Sequence, residues 1–282
     1  MKKITIAYSP DTDDAFMVQA LMDKKVTSPK YEFEFISGDI QELNADAKKD
    51  VYDITAISIA AYPSIADKYV MVPVGASIGD GFGPAIIVRR DSDIKTVDDL
   101  KGKKIAVPGK ETSAYYSSTC LLPEYTPEFM LFSKIEEAVE NGNVDAGILI
   151  HELQIDCENE TFRKIDDLGN LWAKKYEGLP LPLGTNAISR RLSDETIRDL
   201  IEIYRESIRY AFSHRDEILQ KAIDSANPGM TLEMGHKYID MYVNERALDL
   251  DDAVKKGIKI LYEGGFKNGL CQKMNESEYL FS

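Results

Sequence analysis

Ile4-Thr5-Ile6-Ala7-Tyr8-Ser9-Pro10-Asp11-Thr12-Asp13-Asp14-Ala15-Phe16 is the stretch from which the fold is read. Ile4 to Tyr8 is a short apolar run rich in β-branched residues, the signature of a buried strand. Ser9-Pro10 breaks it. The aspartates then open a helix, read over Ala15 to Met22, whose amino end they would cap and whose dipole they would complement. A strand, a turn at its carboxyl end and a helix make the first piece of an α/β unit.

The rhythm continues outward from there. Tyr31 to Ile36 alternates aromatic or aliphatic residues with Glu, the period of a strand. Ile40 to Lys48 is helical, with Ile40, Leu43 and Ala47 on one face. Asp53 to Ser58 and Tyr69 to Val74 read as further strands. Near Ile86-Ile87-Val88 the pattern restarts. Thr96 to Leu100 is a short helix, Lys104 to Val107 a strand, Thr112 to Cys120 and Lys134 to Glu140 helices, and Ala146 to Ile150 a strand. Leu179-Pro180-Leu181-Pro182-Leu183-Gly184 leads into a strand over Thr185 to Ser189. From Ser193 on the chain reads as helix, with further stretches near 215–226, 231–243 and 249–263. The βαβ order predicts mostly parallel sheets covered by helices. The restart predicts two α/β lobes: residues 1–88 with 189–282 as one, 89–188 as the other. The crossovers fall near 84–89 and 185–189, the C-terminal helices pack on the first lobe, and a central cleft takes a small ligand.

Composition narrows the function. The 282 residues carry a formal net charge of −14, which disfavours nucleic acid and anionic lipid as partners. No apolar run approaches the length of a membrane span. The start, Met1-Lys2-Lys3, lacks the long apolar stretch of a secretory signal. Cys120, Cys157 and Cys271 are odd in number and widely spaced, which fits a reducing cytoplasm better than a disulfide framework. A small-molecule carboxylate is the expected partner; no oligomeric state follows from the sequence.

The segments that could carry chemistry lie where strands end. Ser9, Asp11 and Asp14 would face ligand hydroxyls at the end of the first strand, although helix capping accounts for the same run. Ser58, closing Ala56-Ile57-Ser58, could offer a hydroxyl or cap the next helix. In Val107-Pro108-Gly109-Lys110-Glu111-Thr112-Ser113-Ala114-Tyr115 a strand ends, a glycine allows a tight turn, and Thr112 and Ser113 open a helix. Its free N–H groups and the two hydroxyls would suit a carboxylate; ordinary capping is the alternative. His151 ends the apolar strand Gly147-Ile148-Leu149-Ile150, and imidazole suits proton transfer near neutrality. His214 and His236 read as surface residues. No two histidines have metal-ligand spacing, the cysteines do not cluster, and no metal site or cofactor is expected. Gly79-Asp80-Gly81-Phe82-Gly83-Pro84 precedes a strand instead of following one, so it is a flexible connection and not a dinucleotide loop. No Gly-x-Ser-x-Gly elbow is present.

Taken together, Ser9-Pro10 through Phe16, Ser58 to Tyr62, Gly83-Pro84, Val107 to Tyr115, Ala146 to Glu152, Asp167-Leu168-Gly169, Gly178 to Gly184 and Tyr242-Val243-Asn244 resemble the 1,4-dihydroxy-6-naphthoate synthase family of the futalosine route to menaquinone. The resemblance runs in order over nearly the whole chain. It implies a type 2 periplasmic-binding-protein-like fold used as an enzyme. The implied reaction converts cyclic dehypoxanthinyl futalosine to 1,4-dihydroxy-6-naphthoate with release of dihydroxyacetone. It also implies that His151 is the proton acceptor, with substrate contacts at Ala56, Ile57, Ser58, Ser113 and Ala114. Two positions depart from the family's common pattern. Asp11-Thr12-Asp13-Asp14-Ala15 stands where Cys-Pro-Asn-Asp-Thr is usual, and Ala56 where many members carry Lys. Chorismate dehydratase and simple solute-binding proteins for small carboxylates share the implied fold and are the alternative readings.

Overall fold

A computed structural model of the chain describes residues 1–280. The chain divides into two compact units: Met1–Ile78 with Gly184–Asp252 and Lys273 onward, and Gly79–Leu183 with Ala253–Gln272. Each is described by itself.

The first unit begins with β1 (Lys2–Tyr8), α1 (Thr12–Met22), β2 (Tyr31–Ser37), α2 (Ile40–Ala47), β3 (Ile54–Ser58), β4 (Tyr69–Met71) and the short β5 (Ser77–Gly79). The chain then enters the second unit through β6 (Ala85–Arg89), β7 (Lys104–Val107), α3 (Ser113–Leu121), β8 (Thr126–Phe129), α4 (Ile135–Glu140), β9 (Ala146–Leu149), β10 (Phe162–Asp167) and α5 (Leu168–Lys175). It returns through β11 (Leu181–Ser189) to α6 (Asp194–Ser213), α7 (Arg215–Ala226) and α8 (Leu232–Tyr242), and α9 (Asp252–Lys267) is the last α-helix among the described residues.

The sheet containing β1 runs β2-β1-β3-β11-β4, with β5 paired to β11; the other runs β10-β6-β9-β7-β8. Both are mixed, where mostly parallel sheets were expected. β1 is parallel to β2 and β3, and β7 is parallel to β8 and β9. The strands that arrive after the chain has passed from one unit to the other run the opposite way. β11 is antiparallel to β3 and β4, and β6 is antiparallel to β9 and β10. A strand that returns from elsewhere is not bound by the right-handed βαβ crossover, so its direction is free.

The boundaries also differ from the expected 88/89 and 188/189. The chain passes over after Ile78 and back before Gly184, and Ala253–Gln272 belongs to the second unit instead of the first. The reason is a run of glycines on α9. A Cβ on Gly257 would lie 2.8 Å from the Pro180 carbonyl oxygen, one on Gly264 2.4 Å from Cys120 Sγ, and one on Gly265 2.8 Å from the Tyr116 ring. The helix therefore sits directly on α3 and on the Leu-Pro-Leu-Pro-Leu strand.

Gly79 to Pro84, expected to be flexible, is a packed turn. A Cβ on Gly169 would lie 2.0 Å from the Phe82 carbonyl, and one on Gly83 2.7 Å from the Gly169 nitrogen. Leu168 N–H donates to the Pro84 carbonyl at 2.9 Å. Asp167 caps α5 by accepting from Asn170 N at 2.8 Å. Gly83-Pro84 and Asp167-Leu168-Gly169 are thus two halves of one backbone contact, with Trp172 fully buried on the same helix.

Gly169→Ala is expected to destabilise the protein by about 1–3 kcal/mol, because backbone, not a flexible side chain, occupies the space. Gly184→Ala is the control: its Cβ would meet only Ser77 Cβ at 3.7 Å and the Ile57 carbonyl oxygen at 3.8 Å. Urea unfolding of both variants reads the difference, and equal midpoints would refute the close contact.

Candidate active site

In the first unit, β1 and β3 deliver their carboxyl ends side by side. Asp11 is the N-cap of α1 and accepts from Asp14 N–H at 3.3 Å. Asp14 Oδ2 accepts from Ser9 N–H at 2.9 Å. Asp13, which the sequence reading did not single out, accepts from Ser77 Oγ at 2.5 Å and from the Tyr238 hydroxyl at 3.3 Å. All three aspartates are buried, as is Ser9. The expected wall of carboxylates facing a ligand is therefore largely an internal network that ties the start of α1 to β5 and α8.

One oxygen from each of Asp11, Asp13 and Asp14 lies within 4.8 Å of the others. Oxygen donors in that number suit a hard cation. Burial, and then the charges of Asp11 and Asp14, push the Asp13 carboxyl well above the ordinary carboxyl range, partly offset by the Ser77 hydrogen bond. The Tyr204 phenol is held up in the same way, first by burial and then by Asp14.

Ser58 does not cap the turn that follows it. Its N–H donates to Asn44 Oδ1 at 3.0 Å, and its hydroxyl accepts from Asn44 Nδ2 at 3.1 Å. This reciprocal pair, fully buried at Asn44, fixes Ser58 and leaves its O–H to donate elsewhere. Asn44 is the residue that sequence reasoning missed. Its only local signal is an amide on the buried face of α2 beside Leu43 and Ala47. Ala56 and Ile57, expected as substrate contacts, have buried side chains, and Ala56 packs with Ala7 and Leu43. Only backbone could serve a ligand there.

In the second unit, β7 and β9 end together. After β7, Gly109 takes φ +152° and the chain turns into α3. Thr112 is the N-cap: its hydroxyl accepts from Tyr115 N–H at 3.2 Å and donates to the Gly109 carbonyl at 2.8 Å. The capping alternative thus describes Thr112, whose hydroxyl is committed. Ser113 Oγ donates to the Leu183 carbonyl at 2.6 Å, which joins α3 to the Leu-Pro-Leu-Pro-Leu strand. Ser113 and Ala114 stand in the first turn of α3, at the positive end of its dipole.

His151 follows β9 and opens a short 3-10 turn with φ +56°. Side-chain-bearing residues rarely adopt that left-handed backbone, though His does so more than most, and the cost is about 1–3 kcal/mol. Leu149, two residues before it, lies in an apolar cluster with Ile87, Ala106 and Ile135. The ring packs against Phe132, centroids 4.7 Å apart and planes at 72°. Nε2 is buried while the residue as a whole is partly exposed. Of the other histidines, His214 is exposed and stacked on Tyr210. His236 is half-buried, with Nε2 3.0 Å from Asp216 and Nδ1 accepting from Arg215.

A family model described as menaquinone biosynthesis matches residues 4–267. A 1,4-dihydroxy-6-naphthoate synthase of Thermus thermophilus is 30% identical over 271 residues, spanning 96% of this chain and 97% of its own. A crystal structure of an Archaeoglobus fulgidus protein superimposes with a TM-score of 0.87 at 38% identity, covering 95% of this chain and 98% of that one. The periplasmic aliphatic sulphonate binding protein of Escherichia coli has a TM-score of 0.71 at 16% identity, covering 100% and 92%. That likeness shows a periplasmic-binding-protein-like fold and nothing of the ligand.

The raised Asp13 pKa has a definite sign. The folded chain holds that proton more tightly than the unfolded chain does. Its stabilisation is complete below the unfolded value of about 3.9 and is lost as pH rises toward the folded value. Asp13→Asn cannot ionise. Its melting temperature relative to wild type should therefore rise steadily from pH 4 upward, by at most about 1.4 kcal/mol of relative stability per pH unit. A difference that stays constant with pH would mean that Asp13 is ionised in the fold.

Proposed function

The chain belongs to the menaquinone biosynthesis family, and we propose that it is a lyase that converts cyclic dehypoxanthinyl futalosine to 1,4-dihydroxy-6-naphthoate, releasing dihydroxyacetone. The observation that carries this reading is the end-to-end similarity to a named synthase, 96% of one chain against 97% of the other.

His151 takes a proton from the cyclic substrate, and carbon–carbon cleavage follows, driven by formation of the aromatic ring. An imidazole at the end of an apolar strand, with its Nε2 withdrawn from water, suits that step. The first-turn amides of α3, at Ser113 and Ala114, hold the substrate carboxylate, supported by the helix dipole. Thr112 and Ser113 act through the shape of that turn, the one by capping it and the other by anchoring it to Leu183. Ser58, oriented by Asn44, donates its hydroxyl proton to a substrate oxygen. Ser9, Asp11 and Asp14 line the same strand ends and suit neutral hydroxyls, while Ala56 and Ile57 contribute backbone only. The steps are proton transfers, an elimination that opens the ring ether and a carbon–carbon cleavage, which these groups can serve without an added cofactor or metal. The place of work is the cytoplasm, a reading supported by three dispersed thiols, all free. No described helix is long and apolar enough to cross a membrane.

The test is turnover. Purified protein incubated with the cyclic futalosine derivative should yield dihydroxynaphthoate, followed by absorbance and mass. His151→Gln should lower kcat by at least about 100-fold with an unchanged circular dichroism spectrum. Full turnover by that variant would remove His151 as the base, and no product from wild type at high enzyme concentration would remove the reaction.

A further inference from the structure

The segment that follows β8 touches both functional elements of the second unit, and neither the family pattern nor the proposed chemistry uses it. In the sheet order β9-β7-β8, β7 lies between β9 and β8. The end of β9, which precedes His151, and the end of β8, where Phe129 stands, are therefore two strand spacings apart, roughly 10 Å. The chain closes that gap in three residues. Met130 N–H donates to the carbonyl of Val107, the last residue of β7, at 3.2 Å. Met130 packs on the apolar cluster beneath. Lys134 N–H donates to the Leu131 carbonyl at 2.9 Å, which fixes the turn that opens at Phe132. Phe132 then meets the His151 ring edge-on. At the other end Phe129 meets Tyr115, centroids 5.0 Å apart and planes at 85°. Tyr115 directly follows Ser113 and Ala114 in the first turn of α3.

We propose that Phe129–Phe132 is a positioning strap, in which Phe132 sets the plane of the His151 imidazole while Phe129 ties the same segment to the start of α3. The proposal rests on the reading of His151 as proton acceptor. An edge-to-face pair contributes about 0.5–1.5 kcal/mol beyond buried area, enough to select one ring orientation among rotamers. A hydrocarbon ring neither gives nor takes a hydrogen bond, so it restrains the imidazole without competing for its proton. His151 needs such restraint, because it stands on a left-handed backbone and is partly exposed. The strap holds base and carboxylate-binding turn at one separation, and reacting groups displaced by about 1 Å can lose about 100-fold in rate.

Phe132→Leu removes the ring and keeps an apolar side chain. It should lower kcat about 10- to 100-fold while KM stays within about threefold, since only the placement of the base has changed. Phe132→Tyr, which restores a ring, should recover most of the rate. Independently of turnover, the His151 imidazole proton resonances should lose their ring-current shift in Phe132→Leu and keep it in Phe132→Tyr. A purely structural role would lower the melting temperature and leave kcat of the folded enzyme alone. The proposal is overturned if Phe132→Leu keeps kcat within about twofold, if Tyr is as defective as Leu, or if the His151 resonances do not move. Failure of the base reading is seen separately, as a His151→Gln enzyme that still turns over.

Discussion

Helix α1 is buried from Thr12 to Leu21, on every face and not only along a stripe. A helix enclosed in that way cannot leave its first N–H groups to water, and they must be answered from within. The sequence answers the Asp14 N–H with Asp11 as the cap, and the Asp14 carboxylate in turn accepts from the Ser9 N–H that precedes the helix. Those carboxylates then crowd a third, Asp13, which is buried too deeply to ionise easily and is held by Ser77 and Tyr238. The way α1 meets β5 and α8 follows from this single need.

The second unit begins its own helix at the same topological point and treats it in the opposite way. Strand β7 ends, Gly109 turns the chain, and α3 begins with Thr112 and Ser113 in place of acids. Thr112 satisfies one amide and Ser113 pins the turn to Leu183. The amides of Ser113 and Ala114 keep their positive end uncompensated by any neighbouring carboxylate of the first turn. One geometry thus yields an amino end neutralised by its own chain and another whose first turn carries no acid. The departure from the family pattern at Asp11 to Asp14 falls on the self-neutralised end.

Legibility followed the range of the interactions. The strand-turn-helix units around Asp11 and Thr112 could be read because each is local, a hydrophobic run, a breaker and a cap, and the strand before His151 could be read from its apolar run alone. β8 and β10 escaped notice because Thr126-Pro127-Glu128-Phe129 and Phe162 to Asp167 have no clear apolar alternation, and both are edge strands of their sheet. Asn44 escaped because its partner, Ser58, lies on the next strand and nothing local marks the pair. The glycines of α9 read as an ordinary helix interior, although their meaning is the close approach of Pro180, Cys120 and Tyr116.

The sequence by itself determined the alternation of strands and helices, the restart that divides the chain, and the caps. These are fixed by periodicity and by groups a few residues apart, whose physics needs no distant partner. Only the tertiary structure decided which capping groups are already committed, as Thr112 and Asp11 are. It alone decided that burial and neighbouring charges push the Asp13 carboxyl up, that α9 belongs with the second unit, and that Phe132 reaches across β7 to His151. Each of these depends on what is brought close from far along the chain, and burial and contact are properties of that folding, not of the local sequence.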